Sequence, residues 1–169
     1  MARHSESSSK AAAAQIMLGP EGETRIATGV AVLDHLLLEL AEAGRFGLRL
    51  EIAPDEPEAE VDAAGATLGA AVRPLLGQRG VGIAAADEAL AMVVLEVSGK
   101  PLVASNADLT STRAGGLRTD LAAAFLRGLA EEAGLTIHVR LFEGEDSQHV
   151  LEAIFKALGA ALDDARREE

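Results

Sequence analysis

Two short sequence patterns occur twice in this chain, and they constrain its fold more than any other feature. Leu40-Ala-Glu-Ala-Gly44 returns as Leu129-Ala-Glu-Glu-Ala-Gly134, and Leu68-Gly-Ala-Ala-Val72 returns as Leu158-Gly-Ala-Ala-Leu162. The two pairs are offset by 89 and 90 residues (129 − 40 and 158 − 68). A shared offset over two separate segments indicates that one structural unit has been duplicated within the chain.

The first copy contains three predicted strands and two predicted helices. Residues 13–18 and 23–28 are short strand candidates with a Gly-Pro-Glu-Gly turn signal between them, so we expect them to form a hairpin. Leucines at helical spacing predict a helix over residues 30–43, with Gly44 as its C-cap. The alternating segment at 46–52 predicts a strand, the acidic segment 54–62 a loop, and residues 63–76 a second helix.

The second copy repeats this order. Residues 89–97 and 102–105 predict two strands, and Gly115-Gly116 opens a helix that runs through Leu117 to a Gly134 C-cap. Alternation at 135–141 predicts another half-buried strand, and a final helix extends to about residue 166.

The repeated order predicts an α+β fold in which each copy lays two helices on one face of a small sheet. The helix faces of the two copies would then meet in a shared core. We expect a disordered tail at residues 1–10, a first repeat at 11–85 and a second repeat at 86–167, with the repeats packed as one compact domain.

The charge balance narrows the classes of partner. The chain has 27 acidic residues against 15 Lys and Arg, a net charge of −12, which would repel a nucleic-acid backbone. No apolar run is long enough to cross a bilayer, and residues 1–10 lack the apolar core of a signal peptide. We therefore expect a cytoplasmic protein with no nucleic-acid or membrane partner.

Three ionisable residues line up on the last predicted helix. His149, Glu152 and Lys156 are three and four residues apart, so they share one helix face, and Asp146 or Ser147 precedes them as an N-cap. A His-x-x-Glu pair on one face can offer a metal ion an imidazole and a carboxylate. The alternative is a solvated face with a Glu152–Lys156 ion pair.

Several segments resemble the imidazoleglycerol-phosphate dehydratase family of histidine biosynthesis. They span roughly residues 13–166 and are Gly29-Val-Ala-Val-Leu-Asp-His35, Leu68-Gly69, Asp87-Glu-Ala-Leu90, Ser98-Gly-Lys-Pro101 and His149-x-x-Glu152-Ala-x-Phe-Lys156-Ala157. The resemblance implies the duplicated fold of that family, of the ribosomal protein S5 domain 2-like class. It also implies trimers that assemble into a larger symmetric oligomer, with active sites between subunits.

The family is a lyase family that uses two manganese ions, held by two His-His-x-x-Glu motifs and by one His on each of the earlier helices. In this sequence the motifs fall on Glu58-Ala59-Glu60-Val61-Asp62 and on Gln148-His149-Val150-Leu151-Glu152. The first helix keeps His35, whereas its counterpart in the second copy is Ala124. The metal ligands that the resemblance leaves are His35, Asp62, His149 and Glu152.

The resemblance also suggests residues for the substrate. Lys100 stands where the family has Arg, and Lys156 is kept, so these two are the candidate ligand-binding residues, with a phosphorylated small molecule as the ligand. Lys156, Asp87 and Glu88 are the candidate catalytic residues.

Three hypotheses follow. Loss of even an outer partner of a metal ligand costs about 10–100-fold in metal affinity or activity, and here several ligands themselves are missing. The leading hypothesis is therefore a non-catalytic or repurposed oligomeric homologue without a metal cofactor. The first alternative is a metal-dependent lyase with one residual divalent ion, such as manganese. The second is a partner subunit that co-assembles with an active dehydratase.

Several of these residues also have structural interpretations. Asp34 and His35 would form the start of a helix, and His138 lies on the outward side of its strand. Asp87-Glu88 and Lys100 would serve strand-end geometry, and the acidic segment 55–62 would be a solvated connection.

Overall fold

The structure is a computed structural model that describes residues 12–18, 23–108, 113–114 and 117–166. The tail expected at 1–10 and the turn expected at 19–22 lie outside these residues. The strands are β1 (Ala12–Leu18), β2 (Arg25–Ala27), β3 (Phe46–Ile52), β4 (Arg79–Ala86), β5 (Ala89–Val97), β6 (Leu102–Ser105), β7 (Arg113–Ala114), β8 (Leu117–Arg118) and β9 (Leu135–Glu143). The helices are α1 (Ala31–Gly44), α2 (Pro57–Val72), α3 (Thr119–Ala133) and α4 (Ser147–Ala165), and a 3₁₀ turn at Arg73–Leu75 follows α2.

The strands form two main sheets that share one plan. The first has the order β1-β3-β2, and the second has the order β4-β5-β9-β6. In the first sheet β3 is antiparallel to β1 and parallel to β2, and in the second β9 is antiparallel to β5 and parallel to β6. The duplication predicted from sequence is therefore present in the topology, with β4 as an additional edge strand.

The helices lie between the two sheets and pair across the duplication. α1 packs on α4, and α2 packs on α3, so each helix of one copy contacts a helix of the other. The expectation of a shared core between the helix faces is confirmed, because four of the five leucines of α1 and most apolar side chains of α4 belong to one buried cluster. Within the described residues, none of the helices is long and apolar enough to span a membrane.

The repeated residues make the same contact in both copies. A Cβ atom added to Gly159 would lie 2.1 Å from the carbonyl oxygen of Leu40, and one added to Gly69 would lie 2.9 Å from that of Leu129. Leu40 and Leu129 are equivalent in the repeat, as are Gly69 and Gly159. Each glycine therefore lets two helix backbones approach closely at the same point of each helix pair.

Two local predictions about the strands are wrong. β1 and β2 do not form a hairpin, because β3 lies between them and pairs with both. β4 was not predicted, because it contains Gly80 and Gly82, and glycine weakens strand propensity. These glycines face α4, where a Cβ would come within 2.2 Å of a helix carbonyl oxygen, so close packing replaces strand propensity.

Three predicted helix boundaries also change. The acidic segment 55–62 is a solvated connection only in part, because α2 already begins at Pro57, with Glu58 and Glu60 in its favourable first turn. α3 begins at Thr119, and Leu117 instead belongs to β8. Gly44 is the last residue of α1, whereas the left-handed cap is Arg45, with φ 62°.

Candidate functional site

The polar residues of interest lie where α1 packs on α4. Nε2 of His35 lies 3.3 Å from Oε2 of Glu152. One helical turn further along both helices, Nζ of Lys156 lies 3.3 Å from Oε1 of Glu39. We call these four residues, His35, Glu39, Glu152 and Lys156, the polar seam. The seam joins the two copies by two contacts. In the first, α1 supplies the basic residue, His35, and in the second, α4 supplies it, Lys156.

The predicted Glu152–Lys156 ion pair is therefore replaced by contacts between helices. Glu152 accepts from His35 and from Nε2 of Gln148 at 3.3 Å, and Lys156 contacts Glu39. The shared helix face predicted for His149, Glu152 and Lys156 is half-buried against neighbouring elements rather than fully solvated. This face of α4 therefore contacts α1 and the turn between β4 and β5.

His149 is held by the turn between β4 and β5. That turn consists of Asp87 and Glu88, and Asp87 has a left-handed backbone, with φ 51°. Nδ1 of His149 lies 2.7 Å from Oε1 of Glu88, and Nε2 lies 3.3 Å from Oδ2 of Asp87. Both ring nitrogens consequently face a carboxylate.

Glu88 also fixes the beginning of α4. Its Oε2 accepts the backbone N–H groups of Asp146 at 2.9 Å and Glu145 at 3.1 Å. Asp146 then caps the helix, because its Oδ1 accepts the N–H groups of Gln148 and His149, as predicted for Asp146. The interpretation of Glu88 as a residue of strand-end geometry agrees with these contacts.

The same contacts shift two pKa values in opposite directions. The N–H groups of Asp146 and Glu145, with a smaller effect of His149, lower the pKa of Glu88 from about 4.5 to about 2. The hydrogen bond to Glu88, aided by the nearby charges of Asp146 and Asp87, raises the pKa of His149 above 6.5. The charged pair is therefore favoured on both sides.

A pH dependence of stability follows from these shifts. A carboxylate with a lowered pKa stabilises the fold above pH 4.5 and loses this effect as the pH falls toward 2. A histidine with a raised pKa stabilises below pH 6.5 and loses the effect as the pH rises through its folded pKa. We expect Glu88→Gln to lower the Tm most between pH 4.5 and 6.5, less above it, and hardly at all near pH 2.

The matched control for this measurement is Glu145→Gln. It removes the same charge beside the same helix start, but the hydrogen bond to Glu88 comes from its backbone N–H. Thermal melts of both variants from pH 2 to 9 give the comparison. A Tm difference for Glu88→Gln that is independent of pH would contradict the charged pair.

Two other predicted site residues lie elsewhere in the chain. Asp62 is on α2, which packs on α3 rather than on the seam, and its side chain is exposed. Lys100 follows the far end of β5, whose nine residues separate it from the Asp87-Glu88 turn by roughly 30 Å at about 3.3 Å per residue. One chain therefore brings together His35, Glu152 and Lys156, with His149 and the turn nearby, but not Asp62 or Lys100.

The pairing of α2 with α3 offers an internal comparison with the seam. By the repeat offsets, Ala124 and Asp62 correspond to His35 and Glu152, and Gly128 and Ala66 correspond to Glu39 and Lys156. There, a Cβ on Gly128 would lie 3.2 Å from the backbone nitrogen of Ala66. Small residues in close contact thus replace the polar contacts in this second pair.

Comparison with known proteins decides the family. The family model described as imidazoleglycerol-phosphate dehydratase matches residues 28–162. The chain belongs to this family. It is 36 % identical over 163 residues to the imidazoleglycerol-phosphate dehydratase of Acetivibrio thermocellus, which covers 91 % of this chain and 84 % of that one. A Clostridium botulinum (strain Kyoto / Type A2) relative of the same description is 36 % identical over 160 residues, covering 89 % and 82 % of the two chains.

Solved structures of the dehydratase family have the same fold. The chain aligns with the Pyrococcus furiosus protein, crystallised in complex with (S)-C348, at a TM-score of 0.81 and 30 % identity, covering 95 % of this chain and 92 % of that one. The Staphylococcus aureus (subsp. aureus N315) dehydratase gives a TM-score of 0.83 at 29 % identity, covering 94 % and 95 %. The duplicated sheet-and-helix fold expected from sequence is confirmed.

The donor set of one chain does not fit the manganese pair that the resemblance implies. In the part of the chain that the structure describes, no three His, Asp or Glu side chains converge as a metal site requires. His149 contacts Asp87 and Glu88, and Gln148 donates to Glu152. A neighbouring copy would carry the same substitutions, because Gln148, Ala59 and Ala124 recur in every subunit of a homo-oligomer.

Glu39 is a member of the site that was not predicted from the sequence. Glu39 follows His35 by four residues, so the two share a face of α1 in the same way that Glu152 and Lys156 share a face of α4. That spacing was a usable signal. What the sequence does not reveal is that these two faces meet, because the helix pairing depends on the tertiary fold.

Proposed function

We propose that this chain is a dehydratase-family protein that has lost the two-manganese dehydration reaction and acts as a non-catalytic or repurposed oligomeric homologue. The observation that supports this most is the environment of His149. The histidine that remains in the α4 motif has carboxylates at both ring nitrogens, and the adjacent position is Gln148. A histidine that ligates a metal must present a nitrogen lone pair to the ion, and here both ring nitrogens of His149 face carboxylates of the same chain.

The chemistry supports the same conclusion. In two-metal catalysis both ions orient substrate and stabilise charge, so each ion needs its own coordination shell. A Gln amide is a poorer ligand than an imidazole, and Ala59 and Ala124 have no ligating atom. The residues that remain favour an internal network of ion pairs at the start of α4 over a metal centre.

The direct test is an assay for dehydration of imidazoleglycerol phosphate in manganese-containing buffer. The Acetivibrio thermocellus relative, 36 % identical to this chain, serves as the parallel control. We expect turnover by the relative and none above background by this chain. Turnover within about tenfold of the relative, a difference of about 1.4 kcal/mol in barrier, would refute the proposal.

A second candidate function is a lyase with one residual divalent ion. The contact that favours it is between His35 and Glu152, because it brings an imidazole nitrogen and a carboxylate oxygen within 3.3 Å on facing helices. Manganese bound at one ion per subunit in the wild type, and lost in both His35→Ala and His149→Ala, would support this candidate. Unchanged metal content in both variants would exclude it.

We also propose self-association into trimers and a larger symmetric oligomer, through the β4–β5 side of the outer face of the second sheet. β4 presents Val81 and Ile83 there, 44 % and 59 % exposed, and they lie opposite Val94 and Met92 of β5. Contiguous apolar surface of this kind marks association sites. The backbone edge of β4 is less available, because Asp164 accepts the N–H of Val81 at 2.9 Å.

Ile83→Lys is expected to lower the solution mass of the protein, because a charge would have to be buried in the interface. The matched control is Leu102→Lys, at a leucine 50 % exposed on the opposite edge strand of the same sheet. Light scattering should give a smaller particle for Ile83→Lys and the wild-type mass for Leu102→Lys. Equal masses for Ile83→Lys and the wild type would contradict this face as the interface.

A further inference from the structure

Lys156 is the single lysine of α4, and its position differs from that of a freely solvated side chain. It projects toward α1 with its side chain 33 % exposed, and Glu39 opposite it is 19 % exposed. The two groups are 3.3 Å apart and come from different copies of the repeat. A partly desolvated lysine between two helices would ordinarily attract an anionic ligand, since its charge is poorly screened by solvent.

We propose that Glu39 is an internal counter-ion that occupies Lys156 and so excludes anionic ligands, with phosphate as the simplest example, from the polar seam. This inference deepens the proposed function and rests on it, because it treats the seam as a closed site rather than a working one. Glu39 would be the residue that sets the ligand charge that the seam tolerates.

The charges around Lys156 favour this role. An anion that displaced Glu39 would remain close to that carboxylate and to Glu152, one helical turn away on α4. Like charges a few ångströms apart repel strongly where water is partly excluded. The chain as a whole carries a net charge of −12, which adds a repulsive potential for any approaching anion.

The internal comparison indicates that the pair is not required for joining the helices. At the equivalent point of the α2–α3 pair, the chain has Gly128 and Ala66 instead of a carboxylate and an amine, and the helices still pack closely. A partly exposed ion pair also contributes little to stability. Glu39 therefore affects mainly the charge of the polar seam, whereas the apolar residues hold the two helices together.

The test is phosphate binding by the full-length chain and its Glu39 variants. We expect inorganic phosphate to bind Glu39→Gln and Glu39→Ala at least about tenfold more tightly than the wild type, a change of about 1.4 kcal/mol. Isothermal titration calorimetry and the ³¹P linewidth of phosphate measure the gain. Adding Lys156→Met to either variant should abolish it, and raising the ionic strength should weaken it.

The matched control is Glu42→Gln. Glu42 is exposed on the same helix and its removal changes the net charge equally, but it is not the partner of Lys156. We expect no gain in phosphate binding for this variant. Wild-type binding as tight as that of the Glu39 variants, no gain in either Glu39 variant, or an equal gain in Glu42→Gln would each overturn the role of Glu39.

The test distinguishes this inference from the proposed function. Turnover of imidazoleglycerol phosphate by the wild type would refute the loss of dehydration, whatever the phosphate titrations give. Failure of the Glu39 variants to gain phosphate binding would refute the counter-ion role and leave the loss of dehydration standing.

Discussion

Gly159→Ala is expected to destabilise the protein by about 2–3 kcal/mol, because the new methyl group would enter the space of the Leu40 carbonyl oxygen. Alanine normally stabilises a helix by about 1 kcal/mol relative to glycine, so a loss here is diagnostic of close packing. The added Cβ would lie only 2.1 Å from that oxygen, which belongs to the backbone of α1. Neither helix can relieve the contact without moving, so α1 would shift against α4 and open the polar seam.

Gly69→Ala is the matched comparison for this prediction. The equivalent Cβ in the other helix pair would lie 2.9 Å from the carbonyl oxygen of Leu129, so we expect a smaller loss. Urea denaturation of the wild type and both variants measures the difference. A Gly159→Ala protein as stable as the wild type would contradict the close approach of α1 and α4.

Phe155→Ala is expected to have the largest effect on stability, a loss of about 3–5 kcal/mol, because it leaves a cavity at the centre of the helix layer. Phe155 and Phe125 are fully buried, and their ring centroids are 5.4 Å apart. The chain has only four aromatic residues, all Phe, so few large side chains are present to fill the space. The loss should exceed that of Gly159→Ala.

Phe142→Ala provides the control for Phe155→Ala, because Phe142 is 49 % exposed. Surface substitutions usually change stability by less than about 0.5 kcal/mol, so the control should unfold close to the wild type. Denaturant midpoints of the two variants give the comparison. Similar losses in both would contradict the placement of Phe155 at the centre of the core.

The duplication could be predicted from the sequence because the repeated residues make the same helix–helix contact in both copies. Gly69 packs against the backbone of Leu129, and Gly159 packs against that of Leu40. The repeated residues are therefore the points of close contact in the two helix pairs. The N-cap at Asp146 was predictable for a similar reason, since capping depends on a few neighbouring residues. Features that depend on neighbouring residues could thus be predicted from the sequence.

The strand order could not be predicted from the sequence, because a turn signal does not specify which strands pair with each other. Residues 19–22 suggested a hairpin, yet β3 pairs with both β1 and β2. β3 takes the central position of the sheet, and its Leu48 and Leu50 are fully buried. β4 was missed because its glycines are required by α4, a partner about eighty residues away.

The candidate site divides along the same line. His149, Glu152 and Lys156 were predicted to share one helix face, because helical spacing is local. Their partners Glu88, His35 and Glu39 come from other elements, so the pairing could not be read from spacing. The family resemblance grouped Asp62 and Lys100 with the remaining candidates, and within one chain the structure places them apart.

The two helix pairs have the same arrangement but different side chains between the helices. One has ionisable residues that contact each other across the two helices, and the other has Ala66, Ala124 and Gly128 at equivalent positions, with Asp62 as the remaining acid. Both pairs nevertheless have buried core leucines and a contact glycine at equivalent positions. The scaffold is therefore explained by packing, and the two helix pairs differ in the polar side chains between their helices.

The most direct measurement is the metal content of protein purified in manganese-containing buffer, determined by elemental analysis together with the mass in solution. We expect a large oligomer with far less than one manganese ion per chain. Two tightly held manganese ions per chain on that oligomer would contradict it, because the residues described here would then have to supply two complete coordination shells.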